Sequence, residues 1–598
     1  MGKMKNYGAM QRESGATVFS ISQFNKQDED WDNVPGSSHS HFSRISLWAL
    51  VAVIFGLFGL GMLDTSNHWP IRFEKEPFSN FEAATLDEEK TNVPNIIFLM
   101  IDDQGHGDMG YINPQLRSLM PNIVSLAESG IKMTKYYTDS LCTPARASFM
   151  TGKYSIHTGM QHELINTNDH WGLPLGNPIL PQMLKNHGYI TRMVGKWHLG
   201  FFQPAYIPTN RGFDSHFGYY GGQENYYAHS TPCQGRVWTD WQRDGYPAEI
   251  DDEDDGFSLT AFANEVDHIL VSHDQSKPLF LYYATQATHA PLANPPEHYL
   301  TEDQLDYIKE LTGNNGTSMS QRDLFLRTSV ALDKTIGQML ETLKSTGMYE
   351  NTIIMAASDN GGCAYYGADN WPLRGEKRTQ WEGGVRTNAF IHSPLLSQSN
   401  VNTTYSHLFH VTDWVPTILY GILGNSTESK NKKYDGVNHW SAIQDVDSKE
   451  DTSPAREQIL HIIEIMDIST DAFIAAYRHG DYKLVFGEFE MPIYTPQSPE
   501  KINYCETDGS YGTQTSSVYN VVADGTESIN IIEKISDNQL KSMWHAIDGF
   551  FDSSVKSAYN KETDFRYKKV WLDHDGYTVP WIHYKEDEER VHLPVPDQ

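Results

Sequence analysis

At 598 residues, with 39% hydrophobic and 12% aromatic content, the chain can bury one large core and a second, smaller one, which excludes an intrinsically disordered protein. Its 46 basic residues against 77 acidic ones give a net charge of −31 and exclude a nucleic-acid partner, because phosphate binding needs a basic face. An anionic substrate stays open, since a bound cation and a few local Lys, Arg and His can reverse the sign inside one cleft.

Residues 1–44 are polar and are followed by Ile45–Leu63, an uncharged apolar run of 19 residues. That is close to the ~20 residues that cross a bilayer as a helix. The long polar stretch ahead of it, and no small-x-small cleavage site after it, favour a membrane anchor over a cleaved signal. Residues 64–92 mix charges with little periodicity and read as a stem. Asn95–Ile101 is a continuous apolar run of strand length, the pattern of a strand buried on both faces, and Asp102-Asp103 follow it directly. Pro121–Glu128 carries Ile123, Leu126 and Ala127 at helical spacing. Cys142-Thr-Pro-Ala-Arg146 reads as a helix start with Pro144 in its first turn. Cys142 then lies at an end whose partial positive charge and unpaired N–H groups suit an anion. In Gly195-Lys-Trp-His-Leu-Gly200, Lys196 and His198 fall two apart, on one side of an extended segment.

The acidic run Asp251–Asp255 reads as a solvated loop. Pro278–Tyr283 and Thr352–Ala357 repeat the buried-strand pattern, the first shortly before His289 and the second before Asp359-Asn360. Between them Arg327–Leu343 spaces Val330, Ile336, Leu340 and Leu343 along a helix face. Strands alternating with helices predict an α/β domain over 93–453, with a large, mostly parallel sheet flanked by helices. In such sheets ligands bind beyond the carboxyl ends of the strands, where Asp102-Asp103, His289 and Asp359-Asn360 would meet. From residue 454 the pattern changes: Ile474–Arg478, a turn at His479-Gly480-Asp481 and Tyr482–Phe486 predict a hairpin. Residues 454–598 are expected to form a smaller domain with an antiparallel sheet.

Asp102, Asp103, Asp359 and Asn360 offer only oxygen donors, which suits Ca²⁺, or Mg²⁺ in its place, rather than Zn²⁺. Singly, each pair reads as a helix cap or a turn; ending strands of one sheet, the two pairs read as a metal site.

The pattern C-x-P-x-R at Cys142–Arg146, accompanied in order by Asp102-Asp103, Lys196-x-His198, His289, Asp359-Asn360 and Lys377, resembles the sulfatase family. The nearest branch is arylsulfatase B with its I/J-type relatives. The segments carrying that likeness are His157–His162, Met193–Gly200, Arg211–Tyr219, Asn370–Gly375 and Trp381–Arg386. The resemblance implies an alkaline-phosphatase-like fold and hydrolysis of the sulfate ester of a carbohydrate, with sulfated N-acetylgalactosamine of glycosaminoglycans as the expected substrate. It implies that the formylglycine-generating enzyme of the ER lumen oxidises Cys142 to formylglycine. The hydrate of that aldehyde would be the nucleophile and a fifth metal ligand. By the same resemblance Arg146 holds the hydrate, Lys196 contacts it, His198 is the base, and His289 with Lys377 binds sulfate and assists the leaving alcohol. A lumenal modification makes Ile45–Leu63 a type II signal anchor, with residues 1–44 cytoplasmic and the enzyme in the ER–Golgi, the lysosome or at the cell surface. The glycosylation sequons at Asn315, Asn402 and Asn425 agree with that orientation. With Cys142 modified, Cys233, Cys363 and Cys505 allow at most one disulfide, and Cys363 reads as a small buried thiol. Two alternatives stand beside this reading: a phosphonate or phosphate monoester hydrolase, and a non-catalytic lumenal glycan-binding protein on the same scaffold.

Overall fold

The computed structural model describes residues 93–582, apart from 250–254, 315–317, 425–432, 446–455, 468–471, 489, 496–504, 506–511, 513 and 561. Ile45–Leu63, Asn315, Asn425 and nearly all of the acidic run therefore lie outside the described residues. Among those described, no helix is long and apolar enough to cross a membrane. Asn402 is exposed, at a left-handed turn (φ 60°).

Seven strands carry the main sheet: β1 (Asn95–Ile101), β2 (Ile131–Tyr137), β3 (Ile190–Lys196), β4 (Ser215–Tyr219), β5 (Leu279–Ala284), β6 (Thr352–Ser358) and β7 (Arg386–His392). They run in the order β2-β7-β6-β1-β5-β3-β4, within a sheet of eleven strands. The expected parallel sheet is present at its centre, where β6, β1, β5, β3 and β4 are all parallel. Towards one edge it is mixed, because β7 runs antiparallel to both β6 and β2. A strand buried on both faces looks the same in sequence whichever way it runs, so the reversal left no signal.

Residues alternate across the sheet. Along β1, Ile96, Phe98 and Met100 face one hydrophobic cluster, and Ile97, Leu99 and Ile101 face the other. The second cluster is closed by α1 (Pro121–Glu128), α3 (Ser258–Ser272) and α4 (Gln321–Ser345) through residues such as Ile123, Phe262 and Val330. The first is closed by α2 (Cys142–Thr151), whose Phe149 lies 4.2 Å, ring to ring, from Phe98 of β1 and 5.4 Å from Tyr282 of β5. Each such fully buried side chain contributes roughly 1.5–3 kcal/mol. This aromatic contact sets where the N-terminus of α2 meets the sheet.

Beyond residue 454, β8 (Gln458–Asp467), β9 (Ala472–His479), β10 (Tyr482–Phe486) and β11 (Ser516–Asn520) form an antiparallel sheet in chain order. The predicted hairpin is β9–β10, pairing His479 with Tyr482, and Gly480 takes the left-handed conformation of its turn (φ 56°). The amphipathic α5 (Asp537–Ser553) covers this sheet with Met543, Trp544 and Ile547. The last helix among the described residues, α6 (Arg566–Asp573), returns to the main core, where Trp571 packs among Phe201, Trp238 and Trp581. Cys363 is not the free thiol expected of it: it forms a disulfide with Cys505, 142 residues further on. That proximity is purely tertiary, with Cys505 brought against Cys363 in the folded chain, and the spacing of the cysteines could not show it.

Candidate active site

The parallel register puts the ends of three strands level, with Ile101 opposite Ser358 and Met100 opposite Ala284. Asp102-Asp103, the 285–289 turn and Asp359-Asn360 therefore leave the sheet at one edge, as the sequence predicts. α2 begins at the same edge, and Cys142 sits on its first turn, only 1% exposed. The Cys142 Sγ lies 3.7 Å from Asp102 Oδ1 and 4.0 Å from Asp103 Oδ1. Burial pushes the thiol up to about 12.

The cations interlock with these acids. Lys196 Nζ donates to Asp102 (2.7 Å), and Lys377 Nζ donates to Asp103 (2.8 Å). Arg146 grips Asp359 through Nε (3.1 Å) and Nη2 (2.9 Å) and reaches Asp102 at 3.5 Å. The arginine thus braces the carboxylates from below, in addition to any hold on residue 142. Burial alone would raise both aspartates. Lys196, His289 and Arg146 outweigh it at Asp102, as do Lys377 and His289 at Asp103, so both sit below the usual carboxylate range. His289 faces Lys377, with Nε2 3.0 Å from Nζ. Its Nδ1 meets the Ala290 carbonyl and must donate, so Nε2 carries the lone pair that the lysine approaches.

The donors fit a hard cation. Asp102, Asp103, Asp359 and Asn360 are all buried, and Asn360 Oδ1 has no hydrogen-bond partner. A buried carbonyl oxygen left unpaired is costly unless something cationic occupies it. Three carboxylates here meet three cations, so a divalent ion would leave the pocket positive, suited to an anionic ester.

His198 departs from its expected placement. β3 ends at Lys196, and His198 lies beyond it with φ 57°, so no simple strand alternation presents both side chains. Its ring is set instead by neighbours. Nε2 lies 3.0 Å from the Ile165 carbonyl, and a Cβ on Gly222 would come within 2.7 Å of that nitrogen. A carbonyl only accepts, so Nε2 bears the hydrogen and the buried Nδ1, which has no partner, is the free lone pair. Burial, reinforced by Lys196 and Arg146, keeps the ring well below its ordinary range and therefore neutral. Ile165, Gly222 and Thr143, whose hydroxyl accepts from the Ile165 N–H (3.2 Å), are site residues that the sequence analysis missed. Main-chain acceptors and a close-packed glycine leave no mark in residue type. A cleft of about 630 Å³ opens over Cys142, His198 and His289, walled by the 164–169 segment, Gln223, Arg378 and Tyr559.

Comparison with known proteins decides the family. The family model described as Sulfatase matches residues 94–420, more than half of the chain. The chain belongs to the sulfatase family. It is 40% identical over 385 residues to arylsulfatase J of Mus musculus, covering 64% of this chain and 60% of that one. To N-acetylgalactosamine-6-sulfatase of Homo sapiens it is 30% identical over 370 residues, covering 58% of this chain and 65% of that one. The chain thus spans about 60% of the length of the curated relatives it matches. Among solved structures, that of Ps i-CgsB aligns with a TM-score of 0.62 at 25% identity, over 80% of this chain and 97% of that one. The PsFucS1 sulfatase from Pseudoalteromonas sp. gives 0.57 at 22% identity, over 79% and 92%, a likeness of fold.

Proposed function

We propose that this sulfatase-family protein hydrolyses sulfate esters, R–O–SO₃⁻ plus water giving ROH and sulfate, with residue 142 as nucleophile once its thiol has become the aldehyde of formylglycine. The observation that carries this reading is the meeting at the cleft floor of Cys142 with Asp102, Asp103, Lys196, Lys377 and both histidines. One hydroxyl of the hydrated residue 142 attacks sulfur, while Lys196 and Lys377 neutralise the non-bridging oxygens. The Lys377–His289 pair gives a proton to the leaving oxygen. His198 then takes the proton of the second hydroxyl on Nδ1, the carbon–oxygen bond to sulfate breaks, and the aldehyde returns. Asp102, Asp103, Asp359, Asn360 and residue 142 would hold one divalent ion, Ca²⁺ or Mg²⁺, as a Lewis acid for the sulfate oxygens.

Sulfated N-acetylgalactosamine is the substrate this reading favours. Amide and hydroxyl side chains of Asn166, Thr167, Asn168 and Gln223, with the Tyr559 ring, suit a saccharide. A relative at 30% identity bears the name N-acetylgalactosamine-6-sulfatase. The Cys363–Cys505 disulfide supports an oxidising, lumenal address, reached through the anchor proposed at 45–63 and after encounter with the formylglycine-generating enzyme. Turnover is tested on aryl sulfate, aryl phosphate and N-acetylgalactosamine sulfated at O4 or O6. Sulfate release from a sulfated sugar, with aryl phosphate untouched, is expected. Preference for the phosphate would overturn the reaction class, and aryl sulfate turnover without any sugar turnover would overturn the substrate.

A further inference from the structure

Arg378 follows Lys377 directly, yet it touches none of the carboxylates at the cleft floor. Its backbone lies in the left-handed region (φ 79°), where a side chain other than glycine is strained unless its surroundings demand it. The surroundings are specific. The guanidinium forks onto Glu163, with Nη1 3.0 Å from Oε2 and Nη2 2.8 Å from Oε1, and Nε donates to the Cys505 carbonyl at 3.3 Å. The Arg378 N–H donates to the Ser140 carbonyl at 2.8 Å. Cys505 is itself tied by its disulfide to Cys363, three residues past Asn360. The two side chains of the ion pair are only 14% and 22% exposed, so water screens them partly and the fork geometry is favourable.

Glu163 opens the wall segment of the cleft and also accepts the Leu164 N–H at 3.2 Å. The next residue is Ile165, whose carbonyl holds His198 Nε2 and whose N–H reaches the Thr143 hydroxyl on α2. A chain of contacts thus runs from Arg378 through Glu163 to the acceptor that fixes the tautomer of His198.

We propose that Arg378 is a positioning residue for His198: by gripping Glu163 it fixes the Ile165 carbonyl, and so keeps Nδ1 as the proton-accepting nitrogen. This rests on the reading of His198 as the base given above. In the step concerned, the second hydroxyl of residue 142 loses its proton to Nδ1 and the O–H electrons become the carbonyl π bond. The electrons of the carbon–oxygen bond leave with sulfate. The earlier attack on sulfur uses none of these contacts. Loss of Arg378 therefore slows the second half-reaction and spares the first.

The test uses the full chain, with formylglycine content measured by peptide mass, and a chromogenic aryl sulfate. In Arg378→Met, the first equivalent of aryl alcohol is expected at the wild-type rate, followed by a steady state slowed about tenfold, with KM lowered in proportion so that kcat/KM is unchanged. Arg378→Lys, which keeps the charge without the fork, should fall between the two. Glu163→Gln is milder for folding and should shift the same phase in the same direction. Equal slowing of both phases, or an unchanged kcat in both Arg378→Met and Glu163→Gln, overturns the proposal. A rise in KM alone also overturns it and makes Arg378 a substrate contact. Absence of turnover by the fully modified wild-type protein instead removes the underlying reading of the reaction.

Discussion

At the scale of single residues, position 142 divides the roles most cleanly. Cys142→Ala deletes the proposed nucleophile and is expected to lower sulfate release by roughly 10³-fold or more. Cys142→Ser retains one oxygen without a second hydroxyl, so the first half-reaction can run and the second cannot. Its expected outcome is a protein heavier by one sulfuryl group after exposure to substrate, seen by intact mass. Wild-type turnover in the alanine variant would end the sulfatase reading. Cys142, Lys196, His289 and Lys377 were legible because each stands in a short local motif. The acceptor on Ile165 was not, since a main-chain carbonyl is the same at every residue.

At the scale of elements, the site is assembled by strands that end level. Asp359, at the end of β6, serves two partners: it is a candidate metal ligand, and it takes both donors of the buried Arg146. In Asp359→Asn the guanidinium loses its nearest carboxylate and, besides neutral contacts to the Lys196 carbonyl and the Tyr282 hydroxyl, keeps only the longer ion pair to Asp102. Breaking such a buried pair costs about 3–5 kcal/mol. Urea unfolding of the metal-free variant should show that loss, and elemental analysis should show less than one divalent ion per chain. Undiminished stability and metal content would remove Asp359 from both roles. Of the main-sheet strands, β1, β5 and β6 were readable as continuous apolar runs, and the edge that gathers the site followed from their alternation with helices; β2, β3, β4 and β7, interrupted by polar residues, were not. The direction of β7 was not readable, because its NAFIH core is equally buried either way.

At the scale of the whole molecule, a buried ionic cluster joins residue 456 to the main core. Asp413 accepts from Arg456 Nε at 2.9 Å and from His439 Nε2 at 3.0 Å, and Arg456 also reaches the Tyr154 hydroxyl at 2.7 Å. Burial would raise Asp413, but Arg456 and His439 outweigh it and hold it far below its ordinary 3.8. With the folded value depressed, the stabilisation is complete above the unfolded value and fades as pH falls through and below it. Arg456→Met should cost about 3–5 kcal/mol near neutral pH, and less below about pH 4, in denaturant titrations at several pH values. A pH-independent difference would show that packing, not charge, makes the clamp. None of this was legible in the sequence, since Asp413 and Arg456 lie in unrelated local patterns and meet only in the folded chain.

The burial of α2 has a consequence for the order of events in the cell. From Cys142 to Thr151 every residue of that helix is buried, and Arg146 is fully enclosed. A modifying enzyme that needs the Cys142–Arg146 peptide accessible, as the proposed function implies, has no approach to it in the folded helix. Under the proposed function, modification then competes with folding in time: the oxidation of Cys142 would have to be finished before α2 is enclosed, and a chain that folds first would stay inactive. Adding the formylglycine-generating enzyme to folded, unmodified protein is expected to restore no activity, whereas adding it during refolding from denaturant should. Full conversion of the folded protein would mean that α2 opens readily.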